Sequence, residues 1–199
     1  MEAWGEMRRI SEALNLPRIA LETAYVFYSE AQERGLLRRG SLLGFSAASV
    51  YAACRALDIP RTLKEVAEAS MVGLREVRRT YRVMASTLGL PVGPTSPTVF
   101  LAQLSQSNGL SYPLETRALR ILLRAMEEGI HVGKNPKGVA AAAVYLACQE
   151  AGQRCTKTEL AKQAGVSTLT LRRRVKELEA LVGSTGSGLG GGAGIGPSP

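Results

Sequence analysis

Apolar residues recur at three- and four-residue spacing along nearly the whole chain, and few β-branched runs bounded by turns interrupt them. That period predicts one helix after another. Ile19, Ala20, Thr23, Ala24, Phe27 and Tyr28 mark one helix; Leu119, Leu122, Leu123 and Met126 mark a second. Two segments lack a polar face altogether. AASVYAAC (Ala47 to Cys54) and AAAAVYLAC (Ala140 to Cys148) carry alanine on all sides, the pattern of a central helix that neighbours approach closely on every face. The fold class read from this is all-α, each bundle built around an Ala-rich centre.

The two Ala-rich segments belong to a repeat. Shifted by 94 residues, Phe45 to Arg82 pairs with Val139 to Lys176 without a gap, and from Ala47 onward 12 of 36 pairs are identical, where chance would give two or three. A unit this long is a duplicated small domain, since a solenoid unit runs to about 20–50 residues. The organisation expected is repeat 1 over 1–90, a Pro/Gly linker over 91–97, repeat 2 over 98–183, and a disordered Gly-rich tail over 184–199. The tail brushes past a GxGxxG pattern, yet no strand precedes it and no helix follows, so it is not read as a phosphate loop.

Each repeat then shows Thr-x-x-Glu before an apolar-periodic stretch: Thr62 with Glu65, and Thr156 with Glu159. This is a capping box, in which the threonine oxygen and the glutamate carboxylate satisfy free N–H groups at a helix start. In repeat 2 the helix so begun, near residue 157, stops near Gly165, and Ser167 can cap the next. Helix, short glycine turn, helix is a helix-turn-helix. On a wheel of 100° per residue Leu171, Val175 and Leu178 share the inward face, whereas Leu169, Arg172, Arg173 and Lys176 share the opposite one. The alternating VSTLTL is therefore a turn and a first helical turn, not a strand. A leucine among outward cations suits contact with base edges. Leu169 would touch a thymine methyl and Arg172 would reach guanine O6 and N7, with Arg173, Arg174 and Lys176 on phosphates. In repeat 1 the equivalent outward positions are Arg75, Arg78, Arg79 and Arg82, a face suited to phosphates or to an acidic protein surface.

Charge agrees with that picture. Lys and Arg number 25 against 17 acidic residues, a net +8, which suits a polyanionic partner. Repeat 1 holds 13 basic and 10 acidic residues and repeat 2 holds 12 and 7, so the repeats are expected to be unequal in role. The longest apolar run, Val139 to Cys148, is well short of the ~20 residues that span a bilayer, and no signal-peptide pattern opens the chain. A soluble intracellular protein is expected, with no membrane partner. Cys54, Cys148 and Cys155 form an odd set without CxxC, which argues against disulfides and a cysteine zinc site and for buried thiols. His131 is the only histidine, and no nucleophile motif or paired carboxylates occur, so no enzyme, cofactor or metal is expected. Trp4, Tyr51, Tyr81 and Tyr145 fit core faces better than base-stacking platforms.

SVYAACRALDIPRTLKEVAEAS and, 94 residues on, GKNPKGVAAAAVYLACQEAGQRCTKTELAKQAGVSTLTLRRRVKELE resemble the tandem cyclin-like core of archaeal transcription factor B and of its eukaryotic counterpart, transcription initiation factor IIB. LNLPR and ERGLLRRGS match too, and the similarity covers about residues 6 to 182. The resemblance implies a monomeric two-repeat cyclin fold that clamps the TATA-binding protein on promoter DNA and reads the B recognition element through the repeat 2 helix-turn-helix. The family's base-contacting positions fall on Leu169, usually valine, and Arg172. Its phosphate contacts fall on Lys134, Thr156 and Lys176, and its repeat 1 contacts to the TATA-binding protein or nearby DNA on Arg75 and Arg79. The location implied is the archaeal cytoplasm, or the nucleus of a eukaryote.

The family's zinc ribbon and linker, which engage RNA polymerase, have no counterpart in these residues; a core fragment or a shortened paralogue is expected, and direct polymerase contact is in question. Leu42-Leu43-Gly44-Phe45 after Arg38-Arg39-Gly40-Ser41 is unusually apolar for the family, and the Gly-rich tail lies outside its pattern. Two other classes fit parts of the pattern: a kinase-binding cyclin, which leaves the basic faces unused, and a stand-alone helix-turn-helix regulator, which leaves repeat 1 unused.

Overall fold

A computed structural model describes residues 2–93 and 95–183, apart from the Arg39 side chain. The described residues form ten α-helices and one short 3-10 helix, with no strand among them. The chain divides between Thr95 and Ser96 into two compact units. The reading of 184–199 as a disordered tail lies outside the described residues.

The first unit holds α1 (Glu2–Ala13), α2 (Arg18–Glu33), the 3-10 turn Leu36–Arg39, α3 (Leu42–Ala56), α4 (Leu63–Ser70) and α5 (Leu74–Leu88). Every residue of α3 from Gly44 to Cys54 is buried, and α1, α2, α4 and α5 all pack on it. Alanine makes this possible: a helix that ends at Cβ lets four neighbours approach at once. Ser41 caps α3, its Oγ accepting from the Gly44 N–H at 2.9 Å. Thr62 and Glu65 form the complete box at α4, with Thr62 Oγ1 accepting from the Glu65 N–H at 3.2 Å and the Glu65 carboxylate accepting from the Thr62 N–H at 2.8 Å.

The second unit repeats the plan with α6 (Pro97–Ser107), α7 (Tyr112–Glu127), α8 (Pro136–Glu150), α9 (Lys157–Gln163) and α10 (Thr168–Gly183). Here α8 is the enclosed helix, touched by α6, α7, α9 and α10. Its residues from Gly138 to Cys148 are buried except Tyr145, which is half-buried beneath the Lys157 ammonium at 4.7 Å from the ring centre.

The Pro/Gly segment read as a linker is held against the first unit. Tyr81 donates to the Pro91 carbonyl at 2.6 Å, Arg55 donates to the Gly93 carbonyl, and Thr95 Oγ1 donates to the Arg61 carbonyl at 3.3 Å. Its last residue, Pro97, already opens α6, at a position where a helix has no use for an N–H.

Three expectations about individual side chains need correction. Trp4 is 39% exposed, its ring edge-on to the exposed Tyr25 at 5.3 Å, because among the described elements of the first unit none covers that side of α1 and α2. Ile19 and Leu123, used to mark helices, face outward. Cys155 is only half-buried, while Cys54 and Cys148 are fully enclosed. Burial pushes the Cys54 thiol up to about 12, and burial with a hydrogen bond to Cys155 does the same to Cys148, so neither is a nucleophile at neutral pH.

Candidate nucleic-acid interface

α9 and α10 form the helix-turn-helix. Thr156 Oγ1 accepts from the Glu159 N–H at 3.2 Å and donates to the Glu159 carboxylate at 2.6 Å, which fixes where α9 starts. The helix ends in a Schellman turn: the Val166 N–H reaches the Ala161 carbonyl at 3.0 Å, the Gly165 N–H reaches that of Lys162 at 3.1 Å, and Gly165 sits at φ +62. Ser167 then caps α10, its Oγ accepting from the Thr170 N–H at 3.1 Å. Leu171, Val175 and Leu178 are at most 1% exposed, inside the core of the second unit.

With that face fixed inward, the other is fixed outward. Leu169 is 60% exposed, and Arg172, Arg173 and Lys176 are exposed beside it. None of the three cations has an ion pair or side-chain hydrogen bond among the described residues. The arrangement presents one apolar tip and three unspent charges on one side of a rigid helix, which is the chemistry a major groove accepts.

The remaining sequence-predicted residues of this unit are placed differently. Arg174 lies on the flank of α10, its Cγ against Gly138, and donates to Glu177 at 2.9 Å. Lys134, in the turn before α8, donates to the same Glu177 carboxylate at 2.6 Å. Thr156 is exposed, but its hydroxyl already serves Glu159. Sequence reasoning missed Glu177. Its spacing from Arg174 was visible as an i, i+3 pair, but its contact with Lys134, 43 positions away, carries no local signal.

In the first unit α5 exposes Arg75, Arg78, Arg79 and Arg82, likewise without partners among the described residues. Val77, Tyr81 and Met84 hold the helix from its inner side. Arg79 edges a small hollow lined by Phe45, Thr80 and Val83. Glu76 also turns inward, where its carboxylate accepts from Ser41 Oγ at 2.5 Å. In both units, then, a carboxylate on the last helix of the motif ties down the residue just before the enclosed helix, or the cap itself.

The family model described as "Transcription factor TFIIB repeat" matches the chain twice, over residues 1–87 and 92–180. Proteins named transcription initiation factor IIB are similar over most of this chain. The one from Methanocaldococcus jannaschii is 44% identical over 176 residues, 88% of this chain and 26% of that protein. That of Pyrodictium occultum is 43% identical over 89% of this chain and 57% of its own length. The Archaeoglobus fulgidus protein is 42% identical over 91% of this chain and 56% of its own. The chain thus spans between a quarter and somewhat over half the length of these relatives. Two family matches that together cover nearly all the described residues, over two helical units of the same plan, make this chain a member of the TFIIB repeat family.

Proposed function

We propose that the chain is the core of a general transcription initiation factor that joins the TATA-binding protein on promoter DNA and reads the B recognition element with α10. The observation that carries this is the outward side of α10: Leu169, 60% exposed, between cations that no other described residue engages. An exposed leucine flanked by cations matches a groove floor, where a thymine methyl would give it an apolar partner while the cations meet phosphates. Arg172 reads a base next to it, Arg173, Lys176 and Thr156 hold phosphates, and Lys134 and Arg174 reach phosphate only on leaving Glu177. The free arginines of α5 meet the TATA-binding protein or the DNA beside it. The protein acts by binding, as a monomer, and catalyses nothing.

A mobility shift of TATA-containing DNA with and without TATA-binding protein, at several salt concentrations, tests this reading. The expected result is a complex that needs both proteins and weakens steeply as salt rises, because each phosphate contact releases counterions. Tight binding of one duplex without TATA-binding protein would instead indicate a stand-alone regulator. Absence of any DNA complex, with capture of a kinase, would indicate a cyclin.

A further inference from the structure

Glu177 is the one carboxylate of α10 that engages two cations drawn from different elements. Its Oε2 accepts from Lys134 at 2.6 Å and its Oε1 from Arg174 at 2.9 Å. All three side chains are withdrawn from water, at 25%, 35% and 17% exposure for Lys134, Glu177 and Arg174. Arg174 Nε is buried without any partner, so this guanidinium holds a donor that the folded chain does not use. Glu179, two residues on, is exposed and has no partner among the described residues.

We propose that Glu177 is a positioning residue that restrains phosphate binding: by holding Lys134 and Arg174 it withholds two cations from the phosphates of any duplex, and leaves base discrimination to Leu169 and Arg172. The inference rests on the reading of α10 as a DNA-contacting helix. Phosphates offer every sequence the same attraction, so each cation added to the phosphate-binding set raises affinity for all DNA and adds about 0.9 to the salt slope. A carboxylate already in hydrogen-bond contact competes with the phosphate for that cation. The same pairing fixes the turn before α8 against α10 and so sets the helix's approach.

The test compares the full chain with E177Q and E179Q, each of which removes one negative charge from α10. Binding is titrated against salt on a random-sequence duplex and on promoter DNA carrying TATA-binding protein. E177Q is expected to tighten binding by about tenfold at low salt, on the random duplex and on the promoter alike, and to steepen the salt slope by about one to two. E179Q is expected to keep the wild-type slope, and E177D, which retains the carboxylate, to restore the wild-type slope and affinity. An E177Q slope equal to that of E179Q, in protein whose thermal unfolding shows it folded at the assay temperature, overturns the proposal. So does an E177Q that binds all DNA more weakly. Wild-type chain that binds neither DNA at any salt overturns the DNA-reading role and this one with it.

Discussion

Arg172 and Arg174 stand two positions apart on one helix and meet opposite surroundings. A step of two residues turns the helix by about 200°, which leaves Arg172 in solvent and lays Arg174 along Gly138 with its charge on Glu177. Their roles should therefore separate by mutation. Arg172→Ala is expected to cost about 1–3 kcal/mol on one preferred promoter element and to relax discrimination at a single base pair, read by binding to a set of single-position variants. Equal losses on every variant would reduce Arg172 to a phosphate contact. The outward position of Leu169 and the inward one of Leu171, Val175 and Leu178 were legible from spacing alone, because a helix of known start has only one way to turn. The surroundings of Trp4 and Lys134 were not. Whether a surface residue is covered, or finds a partner 43 positions away, depends on packing that local period does not encode.

Elements of the two repeats share a threonine cap, complete as a box at Thr62 and Glu65 but at Thr156 lacking the bond from its N–H to the Glu159 carboxylate, and they differ in how closely helices meet. Gly44 and Gly138 are equivalent by the 94-residue offset, and each lies in the first turn of an enclosed helix. A Cβ at Gly44 would stand 2.8 Å from Glu76 Oε1 and 3.0 Å from Ser41 Oγ, two atoms already bonded to one another. At Gly138 the nearest atom, Val166 Cγ1, would be at 3.7 Å, an ordinary contact. Gly44→Ala is thus expected to push the Glu76 carboxylate off Ser41 and to destabilise the first unit by about 0.5–1.5 kcal/mol, the worth of that hydrogen bond. Gly138→Ala is expected to be neutral or to stabilise by up to about 1 kcal/mol through helix propensity. Thermal or urea unfolding of the two variants checks the contrast. The turn inside each helix-turn-helix shows where legibility stops: Gly165 announces its left-handed backbone, whereas its equivalent, Met71, adopts φ +58 although methionine gives no such sign. Around Met71 the turn is marked only by Gly73, which stands at the start of α5, and by the match to Gly165.

At the scale of the whole chain, part of the net +8 stands on the outward sides of α5 and α10. Many arginines elsewhere are spent at home: Arg8 on Glu12, Arg9 on Glu6, Arg18 on Glu22 and Arg117 on Glu150. Those of α5 and the outer side of α10 are not. Substituting Arg75→Glu together with Arg79→Glu is expected to weaken the complex with TATA-binding protein even on DNA lacking a recognition element, because these side chains sit in the unit without the apolar reader. A mobility shift with undiminished complex would remove that face from the interface. Duplication itself was readable from Ala47 to Cys54 and Ala141 to Cys148, since a helix crowded on every side admits little besides alanine and so preserves its own record.

That same crowding shapes how such a protein can change. Alanine gives up no rotamer freedom on burial, so each enclosed helix is immobilised at little side-chain entropic cost. The reverse holds for any enlargement there. A methylene added at a buried alanine of α8 would press on whichever neighbouring helix that position faces, in a core packed too closely to give way. Novelty in this architecture accordingly has to arise at the rim, in residues such as Leu169 and Arg75, while the axis on which they are mounted stays as it was.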